Sequence, residues 1–381
     1  MVGWFVVGSL TKNSNLAYEV VFSWKQLDYQ FKSLNQRNWA IENKSFIPEN
    51  NIITGVKVFG NRIFLSVPRW REGVPSTLNY VDFNETSNPS SSPLIPYPSW
   101  EYQEVGNCTS FQYVQSMEID QFGRMWVLDV GRVNIFTKPQ NKCPPKLLII
   151  DVTKDEVLKY YAFPENVVSH TTSFLNDLVV GCSNLSKEGC WAYITDSGDG
   201  KLVIYSLKDN TRKIYTLNGN IDAIALSPFD SKFDRVYYHP LSSRELFSVS
   251  TSVLQNASNC TTLSKPQVFR HGWTSSQSDG MVMDAQGNLY FGKLTTNALV
   301  YINASQKQMD ESFVAQNDED LQWVDTFGFD NQGYLYMTTN RMQRFESNTL
   351  DFGDTNFRVV RVFIGSKSCM YSAGKEGYIK A

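Results

Sequence analysis

MEIDQFGRMWVLD, residues 117–129, reads as one β-hairpin. An apolar run stops at Asp120-Gln121-Phe122-Gly123 and resumes as Met125-Trp126-Val127-Leu128, with Asp and Gly where a tight turn demands them. The phrase returns as MVMDAQGNLYFG (281–292) and FGFDNQGYLYMTTN (327–340). Looser versions occur at Phe59-Gly60-Asn61-Arg62-Ile63-Phe64, at Gly189-Cys190-Trp191-Ala192-Tyr193-Ile194-Thr195, and at Phe233-Asp234-Arg235-Val236-Tyr237-Tyr238. With turn residues taken at 60, 123, 189, 234, 287 and 333, the chain advances 273 residues in five steps. That is about 55 per step, in or just above the range of β-propeller blades.

Six copies of a unit that cannot bury its own apolar faces imply one closed array, so the 381 residues predict a single large domain. Aromatics make up 14% at a modest 19% charged residues, a composition suited to packed sheets. Long helical periodicity is missing, which predicts an all-β fold. A propeller also needs its ring sealed. The strand-like run AYEVVFSWKQLDYQF (17–31) has no partner nearby in sequence. It is expected to pair with NFRVVRVFI (356–364), giving a six-bladed β-propeller closed by its N- and C-terminal segments. The division expected is a leader over 1–16, the propeller over 17–364 and a tail over 365–381. Within the propeller, blade one is read over 52–83, with a polar linker over 84–100. Blade three is read over 173–217, blade four from Ile221 to the end of the strand 245–254, blade five over 280–303 and blade six over 321–364.

A net charge of −3 with no basic stripe argues against a nucleic-acid partner. No stretch approaches the roughly 20 apolar residues needed to span a bilayer. The six cysteines lack a C-x2-C zinc spacing, which favours disulfides over a metal site. Cys108 and Cys143 flank blade two and could close one bridge. Cys182 and Cys190 bracket a short loop and are expected to bond to each other, with the pairing of Cys260 and Cys369 left open. Glycan acceptor sequons fall at Asn43, Asn84, Asn107, Asn184, Asn256, Asn259 and Asn303. With the cysteines they point to a secreted, extracellular protein. Residues 3–10 resemble part of a signal-peptide apolar region, with no basic residue before it.

In a propeller, ligands gather at a mouth of the central channel. The residues just past each second strand are therefore the candidates: Arg69, Asp129, Asp196, His239, Thr296, Thr339 and Asn340, joined by Asp325 on the strand leading into the last turn. Carboxylates and amides near rings suit a protonated aromatic amine. A structural role competes, because Asp after a strand caps turns and Arg69 could neutralise Asp129. His239 is the candidate proton-transfer group. No Gly-X-Ser-X-Gly elbow, phosphate loop or EF-hand spacing is present, and no cofactor or metal is expected.

Several phrases are similar to the Yellow and major royal jelly protein family of secreted insect proteins. They include VPRWREGVPSTLN (67–79), LIPYPSW (94–100), RMWVLD (124–129), CPPKLL (143–148) and LQWV (321–324). The likeness covers about residues 18–363 and implies a six-bladed propeller. It further implies one of three roles: binding of small biogenic amines or catechols at the channel mouth, conversion of dopachrome in melanin formation, or storage and assembly. By local alignment the amine-binding role falls on Asp325 and Asn340. Resembling binders place an aromatic shortly after that amide, where this chain has Arg341-Met342. The leading expectation is a secreted propeller that binds a small aromatic amine or catechol. A dopachrome tautomerase using His239 and a non-catalytic interaction protein are the alternatives.

Overall fold

The Asp and Gly of the repeated phrase do separate jobs. Gly60, Gly123, Gly287 and Gly333 take φ values of 59°, 71°, 82° and 101°, a region a Cβ disfavours. The Asp closes the turn: Asp120 Oδ1 accepts from the Phe122 and Arg124 amides, Asp284 Oδ1 from Gln286 and Asn288. The other oxygen reaches a ring six residues on. The Trp126 indole N–H donates to Asp120 at 2.8 Å, and the Tyr290 hydroxyl to Asp284 at 3.3 Å. One carboxylate therefore sets both the turn and the aromatic packed beside it, which is why the phrase recurs as a unit.

The computed structural model describes residues 16–84, 91–182, 186–216, 221–228, 234–256, 261–262, 267–306 and 308–370. Asn184, Asn259, Cys260 and nearly all of the expected leader lie outside them. Each blade begins with an inner strand: Val56–Phe59, Val114–Ile119, Leu175–Cys182, Ala223–Leu226, Met281–Met283 and Val324–Phe329. Each inner strand packs against those of the blades on either side, closing a ring of six. The second strands run antiparallel to them, so second strands end where inner strands begin. That end is called the upper face below.

The closure is as expected. Tyr18–Trp24 pairs antiparallel with Phe357–Phe363, from Tyr18 opposite Val362 to Trp24 opposite Phe357. It becomes the outermost strand of blade six. Three fourth strands fall outside the blades as read from sequence. Ile95–Pro96 comes from the expected linker and completes blade one; Val268–Trp273 completes blade four; Ser312–Gln316 completes blade five. Outer strands bury only one side, and their patterns are short or interrupted (Val268–Trp273 alternates poorly and is half exposed). Among the described residues helices are brief, Leu34–Glu42 being the longest, and none is long and apolar enough to cross a membrane.

Both expected bridges form, Cys108–Cys143 and Cys182–Cys190. Cys369 is buried and unbonded. Loop entropy makes the two bridges unequal, since they span 35 and 8 residues. Replacing Cys108 and Cys143 by serine is expected to lower unfolding free energy by about 3–4 kcal/mol, against about 2–3 kcal/mol for the shorter pair. Urea unfolding of the two double variants measures the difference.

The chain's other end closes the lower face. Ala285 donates to the Lys367 carbonyl at 2.8 Å and Cys369 to that of Met283 at 3.2 Å. Ser368 and Met370 thereby line the bottom of the channel beneath Lys57 and Glu118.

Candidate functional site

The residues that face the channel are those of the inner strands, one strand further in than most of the candidates read from sequence. At the upper end of four successive inner strands stands an aspartate: Asp177 in blade three, Asp222 in four, Asp279 in five and Asp325 in six. Each precedes an apolar run, as in NDLVV (176–180), IDAIA (221–225), SDGMV (278–282) and VDTFG (324–328). These four carboxylates feel one another. Asp279 is destabilised as an anion by Asp325, Asp222 and Asp177, and Asp325 by Asp177. Blade two contributes Ser116, whose hydroxyl donates to Asp177 at 2.7 Å.

The electrostatics are one-sided. None of the four makes an ion pair among the described residues. The channel's Lys57 sits deeper, bonded to Glu118 at 3.1 Å and to the Phe327 carbonyl at 2.7 Å. Burial in a low-dielectric wall disfavours the charged form. It lifts the Asp325 carboxyl to about 7, and burial together with Asp325 lifts Asp279 well above the carboxylate range. At neutral pH this pair holds a proton that free aspartates would have released.

Neighbours fix the pair's geometry. Gly280 N–H donates to the Asp325 carbonyl at 2.8 Å, and a Cβ at Gly280 would collide with that carbonyl. Blades five and six can therefore meet this closely only at a glycine. Asn340 donates from Nδ2 to Asp325 Oδ2 at 2.6 Å and to the Ile53 carbonyl at 2.9 Å, tying blade six to blade one. Thr326 Oγ1 donates to Asp325 Oδ1 at 3.0 Å. Trp323 holds φ at +50°, an unusual setting for a bulky residue and one that recurs at ligand sites. Its indole N–H donates to Asp279 Oδ2 at 2.7 Å. Trp323 thus brings the N–H edge of an indole against the acidic pair, whereas Arg341 and Met342 come directly after Asn340 in sequence.

Of the residues expected from sequence, the structure joins Asp325 with Asn340 and sets Thr339 beside them; the Thr339 hydroxyl is turned to the Asp320 carbonyl at 2.8 Å. No hydrogen bond links Arg69, Asp129, Asp196 or Thr296 to that pair. Arg69 is buried and donates to five carbonyls, of Val74, Phe111, Gln112, Pro75 and Gln103. Burial brings its pKa down to about 10. Asp129 accepts from the Gln112, Tyr113 and Gly131 amides. Its salt-bridge partner is Lys146 at 2.7 Å, both side chains being fully enclosed, and not Arg69. Asp196 caps Phe174 and Asp199 through Oδ1 and leaves Oδ2 without a partner among the described residues. Thr296 lies exposed in the turn after Asn288–Lys293. His239 is buried next to Asp222; Nδ1 lies 3.1 Å from the Pro240 carbonyl, and Nε2 has no partner among the described residues. Burial lowers its pKa, so the ring is neutral near pH 7.

Asp177, Asp222, Asp279 and Trp323 were not among the candidates. The signal for the aspartates is their shared place before each inner apolar run, and Trp323 lies within LQWV (321–324). No three of the aspartates bring ligand atoms together. Among the described residues only Asp120, Cys182 and Cys190 bring three ligand atoms together, and those two sulfurs are bonded to each other. A cavity of about 20 Å³ below the aspartates, bordered by Lys57, Glu118, Asp177 and Thr326, has room for a single water.

Three comparisons place these features among known proteins. The family model described as Major royal jelly protein matches residues 112–217 and 212–366. Protein yellow of Drosophila melanogaster is 29% identical over 389 residues, covering 94% of this chain and 71% of that protein. Protein yellow of Drosophila subobscura is 29% identical over 387 residues, covering 92% and 66%. Among solved structures, a luciferin-regenerating enzyme superimposes with a TM-score of 0.52 at 16% identity, over 87% of this chain and 97% of that one. This last likeness is one of fold.

Proposed function

The chain belongs to the major royal jelly protein family, and on that footing we propose that it is a secreted, glycosylated protein capturing a small protonated aromatic amine, such as a catecholamine, at the acidic upper mouth of its channel. One observation carries this reading: four aspartates stand at the upper ends of successive inner strands and none makes an ion pair among the described residues, Lys57, which attracts Asp177, being bonded deeper to Glu118. An ammonium group supplies a cation and would displace the proton held by Asp279 and Asp325. The Trp323 indole beside them suits the ligand's ring. Asn340 is a positioning residue here, since it orients Asp325 and closes the ring of blades.

Secretion is supported by the two disulfides and by the placement of the sequons. Asn43, Asn84, Asn107 and Asn256 are exposed, and Asn303 is half-buried at a strand end.

Calorimetric titration with serotonin, dopamine and histamine tests the reading. At least one amine is expected to saturate a single site. Asp325→Asn, which keeps shape and removes charge, should weaken it at least about 100-fold, or 2.7 kcal/mol. Absence of heat with all three amines overturns the proposal.

A second reading, dopachrome tautomerisation, is favoured by the bare Nε2 of His239, a neutral base beside Asp222. Dopachrome loss faster than the spontaneous rate, abolished in His239→Gln, would establish it.

A further inference from the structure

A second hollow lies away from the channel. With a volume of about 580 Å³, it opens on the upper face between the loop after Arg62–Ser66, the loop after Arg124–Asp129 and the short helix Met342–Glu346. That volume lies in the range of small-molecule sites. It is off the channel axis, and none of Asp177, Asp222, Asp279 or Asp325 lines it.

Its lining combines a ring platform with charges of both signs. Phe136 is 45% exposed, a costly place for a phenyl group. It is held flat on the buried Trp70 indole, with centroids 4.9 Å apart and planes 26° from parallel. Such a fixed, solvent-facing ring offers a stacking surface. Around it stand Arg71 and Lys138 as cations and Glu72 and Glu346 as anions. None of these four makes an ion pair among the described residues, although Glu346 lies near enough to Arg71 to favour its charged form. Arg71 is pinned in place: its guanidinium lies 4.0 Å from the Phe345 ring centroid and donates one N–H to the Phe345 carbonyl at 2.7 Å. Its remaining donors are left for a ligand.

We propose that this cavity is a second binding site, for a zwitterionic aromatic α-amino acid. A simple cation would meet Arg71 and Lys138, and a simple anion would meet Glu72 and Glu346. Only a ligand carrying both charges on one head group satisfies the set, with its ring on Phe136. Arg71 is the bidentate partner for the carboxylate, and the two glutamates are the acceptors for the ammonium.

The probes are L-phenylalanine, 2-phenylethylamine, which lacks the carboxylate, and 3-phenylpropionate, which lacks the ammonium. They are titrated calorimetrically into the full chain carrying Asp325→Asn, so that the channel mouth does not contribute. L-Phenylalanine is expected to saturate one site with a Kd below about 1 mM, and each truncated probe to bind at least about tenfold more weakly. Arg71→Gln and the fully surface-located Lys138→Gln should each weaken L-phenylalanine while the melting temperature of the Lys138→Gln chain stays unchanged. Loss of binding in Phe136→Ala would agree. The proposal is overturned if L-phenylalanine shows no saturable heat, if 2-phenylethylamine binds equally well, or if Lys138→Gln and Arg71→Gln bind as tightly as the parent. Failure here leaves the channel reading standing, because the channel is tested in the unsubstituted chain with amines alone.

Discussion

Replacing Trp24 by alanine is expected to cost about 3–5 kcal/mol, the range for emptying a buried large aromatic site. The loss should exceed that of any equally buried residue within a single blade. Trp24 is 2% exposed and stacks on Phe22 with centroids 5.5 Å apart. It also donates its indole N–H to the Ser92 carbonyl at 2.9 Å, so one side chain fastens the closing strand of blade six to the segment leading into blade one's last strand. The strand around it is held from end to end. Tyr18 donates to Asp320 at 3.0 Å, Glu19 pairs with Arg361 at 2.8 Å, and Asn356 bonds to the Trp24 and Lys25 carbonyls. These contacts join residues more than 300 apart in sequence. They are what converts a row of blades into a ring. Removing residues 16–24 altogether should expose the whole edge of Phe357–Phe363, and an open edge of that length recruits other chains. Size-exclusion chromatography should then show oligomers, and thermal unfolding should become broad. A monomer melting where the parent melts would mean that the ring is held by inter-blade packing alone.

Asp279→Asn is expected to stabilise the protein at pH 8 while weakening amine capture. The sign follows from linkage. The Asp325 carboxyl titrates at about 7 in the folded chain and near 3.9 when unfolded. Between those values the folded state holds more protons than the unfolded state. Stability contributed by this pair is therefore greatest below about pH 4 and falls as pH rises through 7. Asp279 is held well above the carboxylate range, by burial first and then by the Asp325 charge, so a neutral amide in its place removes that penalty. The gain at pH 8 should be on the order of 2 kcal/mol and should vanish near pH 4. Urea midpoints at the two pH values give the difference directly. Such a gain in stability with loss of binding marks residues kept for a ligand and not for the fold.

The fold was largely legible in the sequence, and its legibility has a cause. Asp120, Gly123 and Trp126 form one hydrogen-bonded unit, so selection for a stable hairpin keeps all three together wherever a blade needs one. Blades three and four repeat it loosely because neither turn carries a positive-φ glycine at the matching place among the described residues. The two disulfides were also readable from separation alone. The site was harder. Attention went to the ends of the second strands, where Arg69 and Asp129 instead spend their polar atoms on backbone groups and on Lys146. The channel belongs to the first strands, which have fewer polar residues and no turn to mark them. Asp325 is legible because it lies on the strand leading into the last turn and because the family resemblance puts the amine-binding role there. Asp177, Asp222 and Asp279 occupy the same level, yet only an inner-strand alignment of the blades reveals them. Trp323 could not be placed beside Asp279 without the left-handed backbone that turns it there.

Proton counting during amine capture bears most directly on the acidic mouth. Dopamine would be titrated at pH 6.5 in two buffers of different ionisation enthalpy, and the difference in heat read as protons released. Expulsion of a proton held by the Asp279 and Asp325 carboxyls predicts release approaching one proton per bound amine, and less in Asp279→Asn. Saturable binding with identical heats in both buffers would place the ammonium elsewhere and contradict the role given to these carboxylates.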